Sequence, residues 1–187
     1  PQNLRRIELH IGEPKHPTPD LIKTALSNAY AGLAQYPATA GTIELREAIS
    51  RWIARRYGID SVSPSTQILT INGSREALFA IAQVVLNVKA GAPQPYVISP
   101  NPFYQIYEGA TLLAGATPYY APSDPARNFN VDWDAVPEDV WARTQLLYVC
   151  SPGNPTGAVM PLSDWQKLFA LSDRHGFVIA SDECYSE

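Results

Sequence analysis

The sequence predicts an α/β fold, a three-layer αβα arrangement around a mostly parallel sheet, and three observations carry that prediction. From residue 66 onward one plan recurs three times: an apolar run of strand length, a turn of Gly, Pro, Asn or Ser, and an amphipathic helical stretch. The strand runs are rich in Val, Ile and Leu, the pattern of strands covered on both faces. Finally, 187 residues with 45% hydrophobic and 17% charged side chains supply enough apolar surface for a buried core.

Taken in order, residues 7–19 read as a short strand and a Pro-rich turn. Asp20 is then expected to cap a helix in which Leu21, Ile22, Ala25, Leu26 and Ala29 keep helical spacing. A loop over 36–41 leads to a second helix from about Thr42, with Leu45, Ala48, Ile49, Trp52 and Ile53 on one face and Gly58 at its end. The three repeated units place strands at 67–71, 96–99 and 145–151. After the first, the helix beginning at Asn72-Gly73-Ser74 presents Ala77, Leu78, Ile81, Val84 and Val85. After the second, Phe103, Ile106, Tyr107, Ala110 and Leu113 form the apolar face, and residues 116–121 resume as a strand. The third helix opens with Ser163-Asp164-Trp165-Gln166, the pattern of a capping box, and Gly176 stops it before a buried strand at 177–181.

The charge balance, 14 Lys and Arg against 18 Asp and Glu, argues against affinity built on neutralising nucleic-acid phosphates. The partner is expected to be small. No apolar run approaches a membrane span and no signal-peptide pattern opens the chain, so a cytoplasmic location is expected. Cys150 and Cys184 lie in apolar stretches and read as buried free thiols of a reducing compartment. His10 and His16 flank a turn without a third ligand, so no metal site is predicted.

Ligands of parallel sheets bind where strands end at their carboxyl side. That rule selects Gly73-Ser74-Arg75, residues 101–104, Asn154, and Asp182 with Tyr185. Asn72-Gly73-Ser74 reads as a turn and helix cap, or as an anion site built from free N–H groups at a helix start. Asp182 follows an apolar run, where an unpaired charge costs several kcal/mol, so it calls for a cation. That cation is either an arginine or the protonated nitrogen of a heterocycle made a better electron sink. Ser151-Pro152-Gly153-Asn154-Pro155-Thr156-Gly157 holds Asn154 between two rigid prolines, as an ordinary turn or as an amide presented to a phenolate oxygen. Tyr104 reads equally as a platform for a flat ring or as a core aromatic.

Together these segments are more specific than any one of them. Asn72-Gly73-Ser74, Asn101-Pro102-Phe103-Tyr104, the Ser151 to Gly157 loop and Ser181-Asp182-Glu183-Cys184-Tyr185 stand in the order found in class I/II aminotransferases dependent on pyridoxal 5'-phosphate. The chain resembles that family throughout, including Ile11-Gly12-Glu13-Pro14 and Tyr36-Pro37-Ala38-Thr39-Ala40-Gly41. The resemblance implies the large domain of the fold type I enzymes, here incomplete. Residues 1–34 would be an N-terminal segment associated with the small domain, and 35–187 the first part of the large cofactor-binding domain.

The resemblance assigns the cofactor phosphate to Gly73, Ser74 and Arg75, and stacking on the pyridine ring to Tyr104. Asp182 would pair with the ring nitrogen, and Asn154 and Tyr185 would hydrogen-bond the 3-oxygen. Tyr36 would reach the phosphate of the other subunit of a homodimer, and Gly12, with Asn154, would line the substrate pocket. The implied reaction moves an amino group between an amino acid and a 2-oxo acid. At finer grain, the Ile11 and Tyr36 segments resemble the members that act on N-succinyl-L,L-diaminopimelate with 2-oxoglutarate and glutamate, in lysine and cell-wall biosynthesis.

One departure stands out. The family's Schiff-base lysine follows the Ser-Asp-x-x-Tyr segment at a distance, and none of Lys15, Lys23, Lys89 and Lys167 has a matching context. The chain is therefore expected to be an amino-terminal portion whose catalytic lysine lies beyond Glu187, inactive by itself. Two other readings stay open on sequence: another aminotransferase of the class, acting on aspartate, alanine or LL-diaminopimelate, and a non-catalytic ligand-sensing domain of the same fold.

Overall fold

The computed structural model describes residues 6, 7 and 16–186. They fall into two compact units, 1–70 and 71–187.

In the first unit, α1 (Asp20–Asn28) is followed by a 3-10 turn and by α2 (Ile43–Tyr57). Thr42 caps α2, its hydroxyl accepting from the Leu45 N–H at 3.3 Å, and Gly58 ends it in the left-handed conformation at φ 69°. Asp20 does not cap α1. Pro19 holds the cap position, and Asp20 sits in the first turn, where it meets the helix dipole and pairs with Lys23 at 3.0 Å. Neither α1 nor α2 contains a buried residue, so their predicted apolar faces are not core: Leu21 is 77% and Leu26 62% exposed. Most of the strand and turn expected over 7–19 lies outside the described residues.

The second unit carries the sheet, in the order β3-β2-β1-β4-β5. β1 (Tyr96–Asn101), β2 (Thr117–Asp124), β4 (Thr144–Cys150) and β5 (Val178–Asp182) are parallel, and the short β3 (Asn130–Val131) pairs antiparallel with β2. Two layers of side chains cover it. Val97, Leu146, Tyr148 and Ala180 point to α3 (Ser74–Val85) and α4 (Gln105–Leu113), where Leu78, Ala82, Tyr107 and Ala110 meet them. Ile98, Leu147 and Val149 point the other way, to Trp133, Trp141, Phe177 and Leu168 of α6 (Leu162–His175). The alternation of neighbouring strand residues between the two sets is the period of two that a sheet imposes. The three-layer prediction therefore holds.

Three local expectations change, and one segment holds elements that the sequence analysis does not name. Residues 67–71 form no strand: they pair with no strand among the described residues, and Leu69 and Ile71 are 67% and 51% exposed. A strand exists by its ladder, and apolar character alone does not provide one. The Ser163 capping box does not form, because α6 begins a residue earlier, at Leu162 behind Pro161, and no side chain caps it. Val84 and Leu113 are exposed, whereas Ala82, unremarked in the sequence, is fully buried between α3 and the sheet. That segment is residues 125–143. They hold two 3-10 turns, β3 and α5 (Glu138–Trp141), and they bring Trp133 and Trp141 into the core at 3% exposure each.

Candidate active site

The chain's path across the sheet locates the site. From β1 the chain crosses through α4 to β2 on one side, whereas β4, which follows later, lies on the other side of β1 and leads through α6 to β5. The two crossover helices cover opposite faces. The carboxyl ends of β1 and β4 thus frame the crevice at the point where the strand order reverses, the usual ligand position in such sheets. A cleft of about 510 Å³, including its solvent-open mouth, lies there. Pro100, Pro102, Phe103 and Tyr107 line one wall, and Val149, Cys150, Gly153 and Asn154 the other.

Asp182 ends β5 beside Cys150 at the end of β4 and is 8% exposed. The Tyr107 hydroxyl donates to its Oδ2 at 2.8 Å, and the Cys184 N–H donates to Oδ1 at 3.4 Å. Both donors are neutral. Burial, and next the hydrogen bond to Asp182, push the Tyr107 hydroxyl far above the ordinary phenol range, so it remains a donor. Its ring lies flat on Tyr148, centroids 4.6 Å apart, and the Tyr148 hydroxyl donates to the Leu78 carbonyl of α3 at 2.6 Å. Asp182 is in this way tied through two stacked rings to the helix whose start is the expected phosphate site.

At that start, Gly73 occupies the cap position of α3, with Ser74 and Arg75 exposed in the first turn. Arg75 Nε donates to the Tyr104 hydroxyl at 2.9 Å. The expected phosphate ligand and the expected ring platform are therefore adjacent, and Tyr104 stands edge-on to Tyr107 at 5.9 Å. The loop after β4 is held by its own backbone: Gly153 N–H donates to Ala158 O at 2.8 Å and Gly157 N–H to Gly153 O at 2.7 Å. Gly157 takes the left-handed conformation at φ 70° that closes this turn. Asn154 projects from the loop, exposed, at the cleft wall. Tyr185 is 45% exposed, and burial, then the neighbouring thiols and Asp182, raise its hydroxyl above the ordinary value.

The structure thus brings together Asp182 and Tyr107, and Tyr104 and Arg75, while Asn154 shares the cleft lining with Tyr107. Tyr36, in the first unit, is fully exposed. Gly12 lies outside the described residues. Cys150 and Cys184 are free, as expected, but Cys150 is only half-buried and Cys184 is exposed, because both stand at strand ends rather than in the sheet's interior. The residue that sequence reasoning missed is Tyr107, placed there only as a helix core position. Its spacing of three from Tyr104 puts both on one helical face, and that was the available signal.

The donor set suits pyridoxal 5'-phosphate: a helix start with a guanidinium for an anion, an aromatic ring beside it, and a buried carboxylate met, among the described residues, by neutral donors, for a cationic ring nitrogen. A crevice at the switch point of a parallel sheet, with a buried carboxylate behind its Tyr107 wall, defines a ligand-binding α/β protein.

Comparison with known proteins makes the class specific. The model of the family "Aminotransferase class I and II" matches residues 5–187, and the chain belongs to that family. It is 34% identical over its whole length to LL-diaminopimelate aminotransferase 2 of Trichormus variabilis, covering 47% of that protein. Among solved structures it superposes on an aminotransferase from Neisseria meningitidis with TM-score 0.92 and 51% identity, covering 100% of this chain and 47% of the other. It also superposes on an aspartate aminotransferase variant from Thermus thermophilus with TM-score 0.81 and 36% identity, covering 94% and 44%. The chain spans about half the length of the relatives it matches. Among the described residues no helix is long and apolar enough to cross a membrane.

Proposed function

We propose that the whole protein is a cytoplasmic, homodimeric aminotransferase that uses pyridoxal 5'-phosphate and exchanges an amino group between an amino acid and a 2-oxo acid. The observation that carries this reading is Asp182, a carboxylate 8% exposed at the end of β5 whose contacts are a hydroxyl and an N–H. Such a group is stabilised by a cation delivered with a ligand.

When bound, the cofactor supplies a pyridine ring that accepts electrons from the substrate's α-carbon. This chain's residues prepare that chemistry. Asp182 keeps the proton on the ring nitrogen, and Tyr107 fixes Asp182 by occupying Oδ2. The α3 start, through the backbone and hydroxyl of Ser74 with Gly73 and Arg75, binds the phosphate. Tyr104 backs the ring, while Asn154 and Tyr185 donate to the 3-oxygen. Tyr36 reaches the phosphate of the second subunit, and Gly12, with Asn154, lines the substrate pocket. In this reading residues 1–34 accompany a small domain, 35–187 begin the large one, and the lysine that moves the proton follows Glu187.

For the substrate, the sequence resemblance supports N-succinyl-L,L-diaminopimelate with 2-oxoglutarate, and glutamate as donor in the biosynthetic direction. Relatives named LL-diaminopimelate aminotransferase favour a second reading, in which the unacylated diamino acid is used. Glutamate formation from 2-oxoglutarate, measured in the whole protein with each donor and with aspartate and alanine, separates them. Turnover with none of these donors, together with retained ligand binding, identifies a sensing domain instead.

A further inference from the structure

We propose that the amino ends of β1 and β4 carry a second binding site, a cationic pocket built on Arg143 and Lys89 that takes a phosphoryl group. The inference goes beyond the reading above and does not depend on it.

The pocket, about 570 Å³ including its open mouth, is lined by Asn87 and Lys89 from the loop after α3, by Pro93 and Pro95 before β1, and by Arg143 and Gln145 where β4 starts. β1 and β4 are parallel neighbours, so their starts lie at the opposite end of the sheet from the cleft. Among the described residues no Asp or Glu lines the pocket, and neither Lys89 nor Arg143 forms an ion pair. In a chain with 14 Lys and Arg against 18 Asp and Glu, two cations that share a pocket without a carboxylate stand out.

The pocket is rigid before any ligand arrives. Gln145 reaches from β4 to hold the facing loop: its Oε1 accepts from the Asn87 N–H at 2.7 Å and its Nε2 donates to the Asn87 carbonyl at 3.4 Å. Two residues on, the Lys89 carbonyl accepts from the Ala92 N–H at 3.2 Å, in a turn that Gly91 allows at φ 78°. The Arg143 carbonyl accepts from the Tyr96 N–H at 2.9 Å, its Nη2 donates to the Gln94 carbonyl, and its guanidinium carbon lies 4.4 Å from the Tyr96 ring centroid. Arg143 Nε is buried and has no hydrogen-bond partner among the described residues. A half-buried guanidinium whose neighbours are a carbonyl and a ring keeps an uncompensated charge, and an anion relieves it. Little ordering is left for the ligand to bring about.

The two cations differ in the way a phosphoryl group requires. The Arg143 fork is planar and fixed, with Nη1 left for a ligand oxygen, whereas the exposed Lys89 ammonium is a point charge on a flexible stem that can follow a second oxygen. A phosphoryl group offers three acceptor oxygens and close to two charges, and so engages both at once.

The test is equilibrium dialysis of the whole protein against radiolabelled inorganic phosphate at constant ionic strength. K89Q and R143Q are each expected to weaken the binding of one phosphate per chain at least about tenfold, and R143K, which keeps the charge and loses the fork, to weaken it as well. R127Q removes the same charge beyond the carboxyl end of β2 and is expected to leave that phosphate bound, as is R75Q at the start of α3. Lys89 is exposed and makes no ion pair, so K89Q decides the matter even where R143Q fails to fold. Competition by glycerol 3-phosphate supports a phosphoryl group carried on a larger molecule, and its failure to compete supports the free ion. Absence of saturable phosphate binding, unchanged binding in K89Q or R143Q, an equal loss in R127Q, or a loss confined to R75Q overturns the proposal.

Discussion

The Tyr107 hydroxyl donates to Asp182 Oδ2 at 2.8 Å across 75 residues of sequence, joining the helix between β1 and β2 to the end of β5. Tyr107 also lines the switch-point cleft, so the contact ties that wall to a buried carboxylate. Tyr107→Phe keeps the ring stacked on Tyr148 and removes only the donor. The loss is expected to cost about 1.5–3 kcal/mol of stability, the range for a hydrogen bond to a charged group. Urea unfolding of wild type and variant measures it, and an unchanged midpoint would show that the contact contributes nothing.

Alkaline pH should weaken the second unit through Tyr148. Burial raises its folded-state pKa from 10.0 to about 12, whereas the unfolded chain ionises at the ordinary value. The neutral form is favoured on folding, so the contribution is complete below pH 10 and is lost as pH rises from 10 to 12. The loss is about 2–3 kcal/mol by linkage. Tyr107, raised further, adds in the same direction. Denaturant midpoints across this range should fall in the wild type and fall less in Tyr148→Phe. An equal slope in both proteins removes Tyr148 as the cause.

Trp141 anchors the segment between β3 and β4. It is 3% exposed, stacks on Phe177 at 5.5 Å and leans on Trp133 at 6.4 Å. Trp141→Ala is expected to cost about 3–5 kcal/mol, because the cavity left under α6 cannot close around two neighbouring rings. Thermal unfolding followed by tryptophan fluorescence checks it, and a loss under about 1 kcal/mol would place Trp141 outside the cooperative core.

What could be read from residue order alone divides along physical lines. The ends of α2 and α6 were legible because Gly58 and Gly176 supply a left-handed residue that other side chains disfavour. Strands β1, β4 and β5 were legible as apolar runs, and the site segments as clusters of turn residues at their carboxyl ends. Residues 125–143 were opaque, since 3-10 turns and a two-residue strand have no periodicity to detect. Among their local signals are Asp124 and Asp132, whose carboxylates accept from the Ala126 and Asp134 N–H groups. Residues 67–71 misled because apolar alternation does not supply a pairing partner. Tyr107 was placed correctly on a buried face, but its contact with Asp182 is a property of the assembled sheet.

In the proposed function, Asp182 holds a proton on the nitrogen of a bound pyridine ring. Nitrogen-15-labelled pyridoxal phosphate, bound to the whole protein, reports this through the ring-nitrogen chemical shift at neutral pH. A protonated nitrogen in the wild type and an unprotonated one in Asp182→Asn is the predicted result. An unprotonated nitrogen in the wild type, or the same protonated shift in both, contradicts the account.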